Sequence, residues 1–228
     1  MKLLFAFLII TVSMQLPIVT AQNNSKTTAT YRLTVKNNWT EELYPAAYPI
    51  GAHFSWLAAA KHNANQSFWE LGGMASAGFQ ELAETGYSEA FLKEIQAPAI
   101  PFGWQHWFCS SKSLSSKCGV LTVEFIITSD QPLITFASML GPSPDWFVGV
   151  YGLNLQPNNN WIENLTVPLA LYDAGTEDGL EPTMTNPESK PHRPISLIRY
   201  DESSGKYIPT NKAFIVGEFI FELINISE

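Results

Sequence analysis

The chain has 228 residues, of which 46% are hydrophobic and 15% are charged, and its formal net charge is −8. This length and composition suit a single globular domain with a sizeable core. The excess of acidic residues argues against nucleic acid or an anionic lipid surface as a partner, and it is compatible with cation binding.

The first 21 residues have the build of a secretory signal peptide. Lys2 gives a basic start, a ten-residue, predominantly apolar run extends from Leu3 to Val12, and Val19 and Ala21 fit a small-residue cleavage site. A membrane anchor is the alternative, but ten residues cover only about 15 Å as a helix, roughly half of the hydrocarbon core. We expect cleavage after residue 21, export without a membrane span, and a polar, disordered segment over residues 22–29.

The next segments predict one strand and two short helices. Tyr31, Leu33 and Val35 alternate with polar residues, which indicates a strand. Residues 74–84 carry the apolar stripe of a short helix, and Gly86 stands where such a helix would end. A second short helix is predicted over Glu89–Ile95.

The remainder of the chain alternates with a period of two between turns rich in Pro, Gly and Asn. The alternating apolar sets are Leu121, Val123, Phe125 and Ile127; Trp146, Val148 and Val150; Leu165, Val167 and Leu169; and Ala213, Ile215, Gly217, Phe219, Phe221 and Leu223. This pattern predicts a mainly β protein, an antiparallel β-sandwich or barrel with short helices in its connections.

Cys109 and Cys118 are the two cysteines of the chain. In an oxidising compartment an isolated pair is expected to form a disulfide, which would pin the polar loop between them. Two free thiols are the alternative. A redox-active pair usually has two intervening residues, whereas this pair has eight.

Acceptor sequences for N-linked glycans occur five times, at Asn23, Asn38, Asn65, Asn164 and Asn225. One such sequence is a weak signal, because the motif often arises by chance. Five in an exported chain predict at least one glycan if the source is a eukaryote.

Common catalytic signatures are absent from the sequence, including nucleophile elbows, metalloprotease helices and phosphate-binding loops. The four histidines, His53, His62, His106 and His192, are scattered, so structural or surface roles fit them better than zinc binding. We therefore expect no enzymatic activity.

Acidic residues cluster in the segment from Tyr172 to Gly179, which contains three carboxylates, Asp173, Glu177 and Asp178, and two glycines. Carboxylates at this spacing in a tight loop can converge on a hard cation such as calcium, which takes six to eight oxygen ligands. Asp145 would add another carboxylate if its loop lies at the same end of the fold. An ordinary solvated acidic turn is the alternative.

Five blocks of the sequence, in order, are more specific than any single motif. The two most specific blocks are PSPDWFVGVYGLNL at 142–155 and LALYDAGTEDGLEPT at 169–183. The earlier blocks are TYRLTVKNNWT at 30–40, HFSWLAAAKHN at 53–63 and FWELGGMASAGFQELAETG at 68–86. Together they resemble the spondin N-terminal domain of extracellular-matrix adhesion proteins. The blocks cover about residues 30–200, and we place the domain at residues 30–226.

The resemblance implies an antiparallel β-sandwich with calcium (Ca²⁺) held by Asp145, Asp173 and Glu177. The family usually has Asp at the position of Glu177, so the loop must adjust, and Asp178 is a possible substitute ligand. Relatives usually have Cys in the stretch occupied by Gln156, so their disulfide pattern is not copied. Functions that reside in thrombospondin-type repeats do not transfer, because those repeats require many cysteines.

The leading hypothesis is a secreted calcium-binding module of the extracellular-matrix or cell-adhesion type, with a matrix or cell-surface protein or glycan as partner. The runner-up is a secreted hydrolase acting on glycans, in which Asp145 and Asp173 would be the paired carboxylates. A third possibility is a structural matrix or mineral-associated protein, for which the acidic composition would provide many weak calcium sites.

Overall fold

The computed structural model describes residues 26–55, 57–95, 107–108 and 120–227. These residues form eleven strands and two α-helices. The helices are α1 (Ala77–Thr85) and α2 (Glu89–Ile95), and a 3₁₀ turn covers Pro157–Asn159. The strands are β1 (Thr28–Asn37), β2 (His53–Phe54), β3 (Ala58–His62), β4 (Trp107–Phe108), β5 (Val120–Thr128), β6 (Leu133–Gly141), β7 (Trp146–Asn154), β8 (Asn164–Asp173), β9 (Ser196–Asp201), β10 (Lys206–Thr210) and β11 (Ile215–Ser227).

Some sequence predictions concern residues outside this part of the chain. The predicted signal sequence, Asn23, Cys109 and Cys118 all lie outside the described residues. Among the residues that are described, no helix is long and apolar enough to cross a bilayer.

All pairs between named strands are antiparallel, and hydrogen bonds link the described strands into one sheet. The main path runs β4-β2-β6-β7-β8-β11-β1-β5, while β3 pairs with β6, β9 with β8, and β10 with β9. The prediction of a mainly β, antiparallel fold with two short helices is confirmed.

The sheet curls so that strands far apart in its order meet across a common core. The Phe136 ring on β6 lies 5.2 Å from the Phe219 ring on β11 and 6.4 Å from the Phe125 ring on β5. All three side chains are buried. Tyr31 on β1 is also buried, and its hydroxyl donates a hydrogen bond of 2.6 Å to the Ile162 carbonyl. The concave side of the curl is therefore a closed aromatic core.

The two helices form a second apolar layer with strands β6 and β7. Phe79 of α1 packs against Phe147 of β7, with ring centroids 4.8 Å apart, and Ala137 of β6 belongs to the same buried cluster. Because β6 and β7 face two cores, burial extends over Ile134–Gly141 and over Trp146–Val150 without alternation. The predicted alternation places Trp146, Val148 and Val150 in the core and Phe147 on the other face, but Phe147 is buried as well.

The ends of α1 are fixed by its flanking residues. The Ser76 Oγ accepts a hydrogen bond from the Phe79 N–H at 3.1 Å, so Ser76 caps the N-terminus. Gly86, at φ 77°, ends the helix and donates its N–H to the Leu82 carbonyl. The helix thus begins three residues later than predicted and ends one residue later, whereas the bounds of α2 are as predicted.

Two predicted boundaries are wrong. β1 begins at Thr28 and Ala29 is fully buried, so these residues do not belong to a disordered N-terminal segment. The last strand begins at Ile215 and its register shifts between Ile215 and Gly217, which places Val216 in the core. Ala213 lies before the strand and is exposed, so the predicted one-faced run does not extend back to it.

Candidate functional site

The predicted acidic residues meet where β7 begins and β8 ends. Trp146 of β7 is the register partner of Asp173 of β8, so Asp145 lies immediately beside the end of β8. The Ala174 N–H donates a hydrogen bond of 3.1 Å to the Asp145 carbonyl, which ties the two loops together. The antiparallel pairing thereby brings together carboxylates that are far apart in the sequence.

Asp145 is fully buried, at 0% exposure. Its Oδ2 accepts hydrogen bonds from the Thr176 N–H at 2.6 Å, the Thr176 hydroxyl at 3.1 Å and the Glu177 N–H at 3.1 Å. Its Oδ1 has no hydrogen-bond partner among the described residues. Burial raises the pKa of Asp145 above its ordinary value, and the hydrogen bonds to Glu177 and Thr176 oppose that rise.

Asp173 and Glu177 add two more carboxyl groups. Burial, and then the charge of Asp145, raise the pKa of Asp173 to about 7, while the Gly175 N–H donates to its Oδ1 at 2.8 Å. Burial, and then the charge of Glu84, raise the pKa of Glu177 to about 7. Carboxyl groups that raise one another's pKa in this way are stabilised as anions by a nearby cation.

Glu84 is the member of the site that the sequence prediction missed. It lies in the last turn of α1, and its Oε1 accepts a hydrogen bond of 2.8 Å from the Gln80 amide. Its charge acts on both Asp145 and Glu177. The one feature of the sequence that could have pointed to Glu84 is its position two residues before the helix-ending Gly86, within a block that resembles the spondin domain.

Asp178 has different partners. Its Oδ1 accepts hydrogen bonds from the Ser189 hydroxyl at 2.8 Å and from the Arg193 guanidinium. These two bonds, the one from Arg193 first, hold the pKa of Asp178 below its ordinary value. Because its carboxylate already accepts these two hydrogen bonds, Asp178 is a weaker candidate for a metal ligand than Glu177.

The donor set fits a hard cation in its chemistry. It is made of carboxylate oxygens, Asp145 is buried and Asp173 and Glu177 are half-buried. Asp145 also offers an oxygen without a partner in the described structure. As placed, however, no three Asp, Glu, His or Cys side chains in the described ranges lie close enough together to form a complete metal site. The residues are gathered at one place, and full coordination requires their side chains to adjust.

A groove of about 590 Å³ opens beside these carboxylates. Asp173, Asp178 and Arg193 form its polar part, and its floor includes Trp146 and Tyr207, which are both buried. Asp173 is therefore the residue of the cluster that reaches this concave surface.

None of the three described histidines belongs to this cluster. His62 is buried on β3, where Nε2 lies 2.9 Å from the Thr135 hydroxyl and Nδ1 lies 3.0 Å from the Asn63 carbonyl. His53 contacts the Gly51 carbonyl at 2.8 Å, and His192 pairs with Glu188 at 3.4 Å. The structure thus agrees with structural or surface roles for His53, His62 and His192, while His106 lies outside the described residues.

The fold and this cluster define a class of protein, an antiparallel β domain with buried and half-buried carboxylates at one end of its strands. The sequence profile of the Spondin_N family matches residues 29–213. The chain therefore belongs to the Spondin_N family.

Individual relatives agree with this assignment. The chain is 30% identical over 194 residues to Spondin-2 from Homo sapiens, an alignment covering 84% of this chain and 58% of the relative. It is 30% identical over 173 residues to Spondin-2 from Rattus norvegicus, covering 75% of this chain and 52% of the relative. It is 32% identical over 192 residues to Spondin-1 from Bos taurus, covering 77% of this chain and 23% of the relative. The chain thus spans just over half of Spondin-2 and about a quarter of Spondin-1.

Proposed function

We propose that this chain is a secreted binding module of the extracellular matrix or cell surface, and that calcium stabilises its ligand-binding end. The observation that carries the proposal is the buried Asp145 carboxylate, which lies where two loops and the end of α1 meet. One of its oxygens has no partner among the residues that the structure describes. Burying a charged oxygen without a partner is costly, so a bound cation gives this arrangement a physical reason.

Asp145, Asp173 and Glu177 would hold the calcium ion, and Glu84 would add a fourth carboxylate. A bound calcium ion supplies two positive charges and accepts oxygen ligands in flexible geometry. The carboxylates themselves belong to three elements, the start of β7, the end of β8 with its following loop, and the end of α1. Their common attraction to one cation would fix these elements relative to one another.

The secreted location is supported by the signal-like residues 1–21 and by the acceptor sequences for glycans. A Cys109–Cys118 disulfide belongs to the same proposal, since both cysteines would be exported to an oxidising compartment. The partner we propose is a matrix or cell-surface protein or glycan, which would bind at the groove beside the carboxylates.

The hydrolase alternative receives no support from the geometry. Paired catalytic carboxylates must both face an open cleft, where they contact the substrate. Asp145 is fully buried and its Oδ2 is engaged by three hydrogen bonds, so its carboxylate does not face the groove.

Thermal unfolding with and without calcium tests the proposal. With a Kd of about 10⁻⁴ M, 1 mM calcium would stabilise the folded chain by about 1.4 kcal/mol. For a chain of this size that corresponds to a rise in Tm of about 3–6 °C. Excess chelator should reverse the rise, and an equal Tm in both conditions would contradict the proposal.

A further inference from the structure

The acceptor asparagines are not spread evenly over the folded chain. Asn65, Asn164 and Asn225 are exposed, whereas Asn38 is half-buried. The Asn38 N–H donates to the Val216 carbonyl at 2.9 Å, and the next residue, Trp39, is buried in the core. Three of the four described acceptor sites can therefore carry a bulky glycan without disturbing the fold.

The strand register shows that these three sites lie at the same end of the sheet. Asn164 is the first residue of β8 and Asp173 the last, so a ten-residue strand of roughly 30 Å separates that site from the carboxylates. Asn164 pairs with Glu222 of β11, and Asn225 lies three residues further along β11. Asn164 and Asn225 are therefore neighbours, both remote from the acidic end.

Asn65 lies at the same end of the sheet as Asn164 and Asn225, as the pairing of β3, β6 and β7 shows. It follows β3, whose last residue, His62, pairs with Leu133 of β6. Leu133 in turn pairs with Asn154, the last residue of β7. Since β7 begins beside Asp145 at Trp146, the ends at Asn154, Leu133 and His62 point away from the carboxylates.

Asn38 lies at the opposite end. It follows Asn37, the last residue of β1, which pairs with Gly217 near the start of β11. The start of β11 pairs with Ala170, three residues before Asp173. The single half-buried acceptor among the described sites is thus the one on the side of the carboxylates.

We propose that N-linked glycans at Asn65, Asn164 and Asn225 cover the end of the sheet opposite the carboxylates, and that the carboxylate end is consequently the one open to macromolecular partners. This inference rests on the proposed secretion of the chain. N-linked glycans are bulky and solubilising, so a surface that carries three of them is closed to a protein partner. The groove beside Asp173 lies at the uncovered end.

The modification requires a lipid-linked oligosaccharide diphosphate as donor, which the secretory pathway supplies. The Nδ2 atom of the asparagine forms a bond to C1 of the first sugar and loses one proton to a base of the transferase. The bond between that C1 and the lipid diphosphate breaks, and the lipid diphosphate leaves. The reaction changes no oxidation state.

Site mapping on the full chain, expressed in a eukaryotic secretory host and collected from the medium, tests the inference. Enzymatic removal of N-glycans in ¹⁸O-labelled water should convert Asn65, Asn164 and Asn225 to labelled Asp, and should leave Asn38 unlabelled. The matched variant Asn38→Gln should run at the same mass as the wild type, whereas Asn164→Gln should lose the mass of one glycan. If Asn164→Gln fails to fold, Thr166→Ala removes the same acceptor sequence.

A second measurement separates this inference from the proposed function. The triple variant Asn65→Gln, Asn164→Gln, Asn225→Gln should keep the calcium-dependent rise in Tm, because its changes lie away from the carboxylates. A secreted, calcium-responsive chain with a glycan at Asn38, or without glycans at Asn164 and Asn225, would overturn this inference alone. Glycans at the three predicted sites on a chain that does not respond to calcium would support this inference and overturn the calcium site.

Discussion

At the scale of single residues, the burial of Asp145 is the physical reason for proposing a cation at the acidic end of the molecule. Three donors hold its Oδ2, so the carboxylate has a fixed position, while its Oδ1 is buried without a partner in the described structure. The cost of an unsatisfied buried group is about 1–3 kcal/mol, and it is larger for a charged one. Calcium binding would remove this cost.

The substitution Asp173→Asn tests the neighbouring ligand. It removes one charge at nearly constant size, and the amide oxygen can still accept the hydrogen bond from Gly175. The calcium-dependent rise in Tm should fall to less than half of its wild-type value of about 3–6 °C. In chelator the variant should be at least as stable as the wild type, because repulsion from Asp145 is relieved. Thermal melts by circular dichroism measure both effects.

Glu181→Gln is the control for that substitution. Glu181 is exposed and its carboxylate lies 3.9 Å from Lys206, outside the cluster. The control should keep the full calcium response. Equal calcium responses in Asp173→Asn and in the wild type would show that Asp173 is not a ligand.

Glu84→Gln tests the carboxylate that α1 adds. Losing its charge should weaken calcium binding by about tenfold, or about 1.4 kcal/mol, if Glu84 acts directly on the ion. Glu81→Gln provides a control on the same helix, since Glu81 is exposed. Calcium titrations of both variants make the comparison, and indistinguishable Kd values would exclude Glu84 from the site.

Because His62 is buried, we expect the folded chain to lose stability in acid. Burial lowers the pKa of His62 below its ordinary value, so the unfolded chain binds this proton more readily than the folded chain. The contribution of His62 to the free energy of unfolding is fully present above the pKa of His62 in the unfolded chain, about 6.5. This contribution falls as the pH drops towards the lower pKa of His62 in the folded chain. Between pH 7.5 and 5 the wild type should lose on the order of 1 kcal/mol relative to His62→Gln. Urea unfolding of both proteins gives this difference, and a difference that does not change with pH would rule out the assigned role.

At the scale of elements, the long connection from β8 to β9 is held by Arg193. Its N–H donates to the Gly175 carbonyl at 2.8 Å, and its guanidinium donates to the Glu177 carbonyl at 3.0 Å and to the Asp178 carboxylate. A further backbone bond of 2.8 Å joins Ser189 to Thr176. These bonds place the Glu177 segment over Asp145 without any regular strand.

Gly175→Ala should disrupt this connection. Gly175 has φ 77°, and a Cβ there would lie 2.1 Å from the Arg193 carbonyl oxygen. Gly152→Ala is a matched control, because Gly152 has φ 56° with open space around the added atom. Both variants carry the left-handed strain of about 1 kcal/mol, and Gly175→Ala should lose at least 2 kcal/mol more through the clash. Chemical unfolding measures the two losses, and equal losses would contradict the packing described here.

Helices and strands whose apolar residues recur at a regular spacing could be predicted from the sequence. Strands that are buried on both faces could not. The α1 and α2 helices and strand β1 each bury one side only, so the spacing of their apolar residues was informative. Strand β6 is buried on both faces and shows no alternation, and it was missed. The register shift at Ile215 could not be predicted from the sequence either, because a bulge is set by the pairing with the neighbouring strand, here β8.

The same limit applies to the candidate site. Asp145, Asp173 and Glu177 could be selected because two blocks resembled a known domain. The β7–β8 pairing sets Asp145 beside Asp173, and the Glu177 N–H donates to Asp145, while the role of these residues as ligands stays a prediction. Glu84 could not be selected by spacing, because its place depends on how α1 packs against β6 and β7. The engagement of Asp178 by Arg193 is likewise a tertiary contact between residues fifteen positions apart.

At the scale of the whole molecule, the two ends of the sheet differ in chemistry. One end carries the buried Asp145, the half-buried Asp173 and Glu177 and a groove beside Asp173, and the other carries the three exposed acceptor asparagines. The formal net charge of −8 favours cations over nucleic acid at any part of the surface. This difference between the two ends fits the proposal that partners bind at the carboxylate end.

Calcium titration calorimetry on the secreted, metal-stripped chain tests this account most directly. We expect one calcium ion per molecule, with a Kd of about 10⁻⁴–10⁻³ M, as in other extracellular modules. Asp145→Asn, shown to be folded by circular dichroism, should bind at least tenfold more weakly. Many weak sites per molecule, or equal binding by Asp145→Asn and the wild type, would contradict a single site built on Asp145.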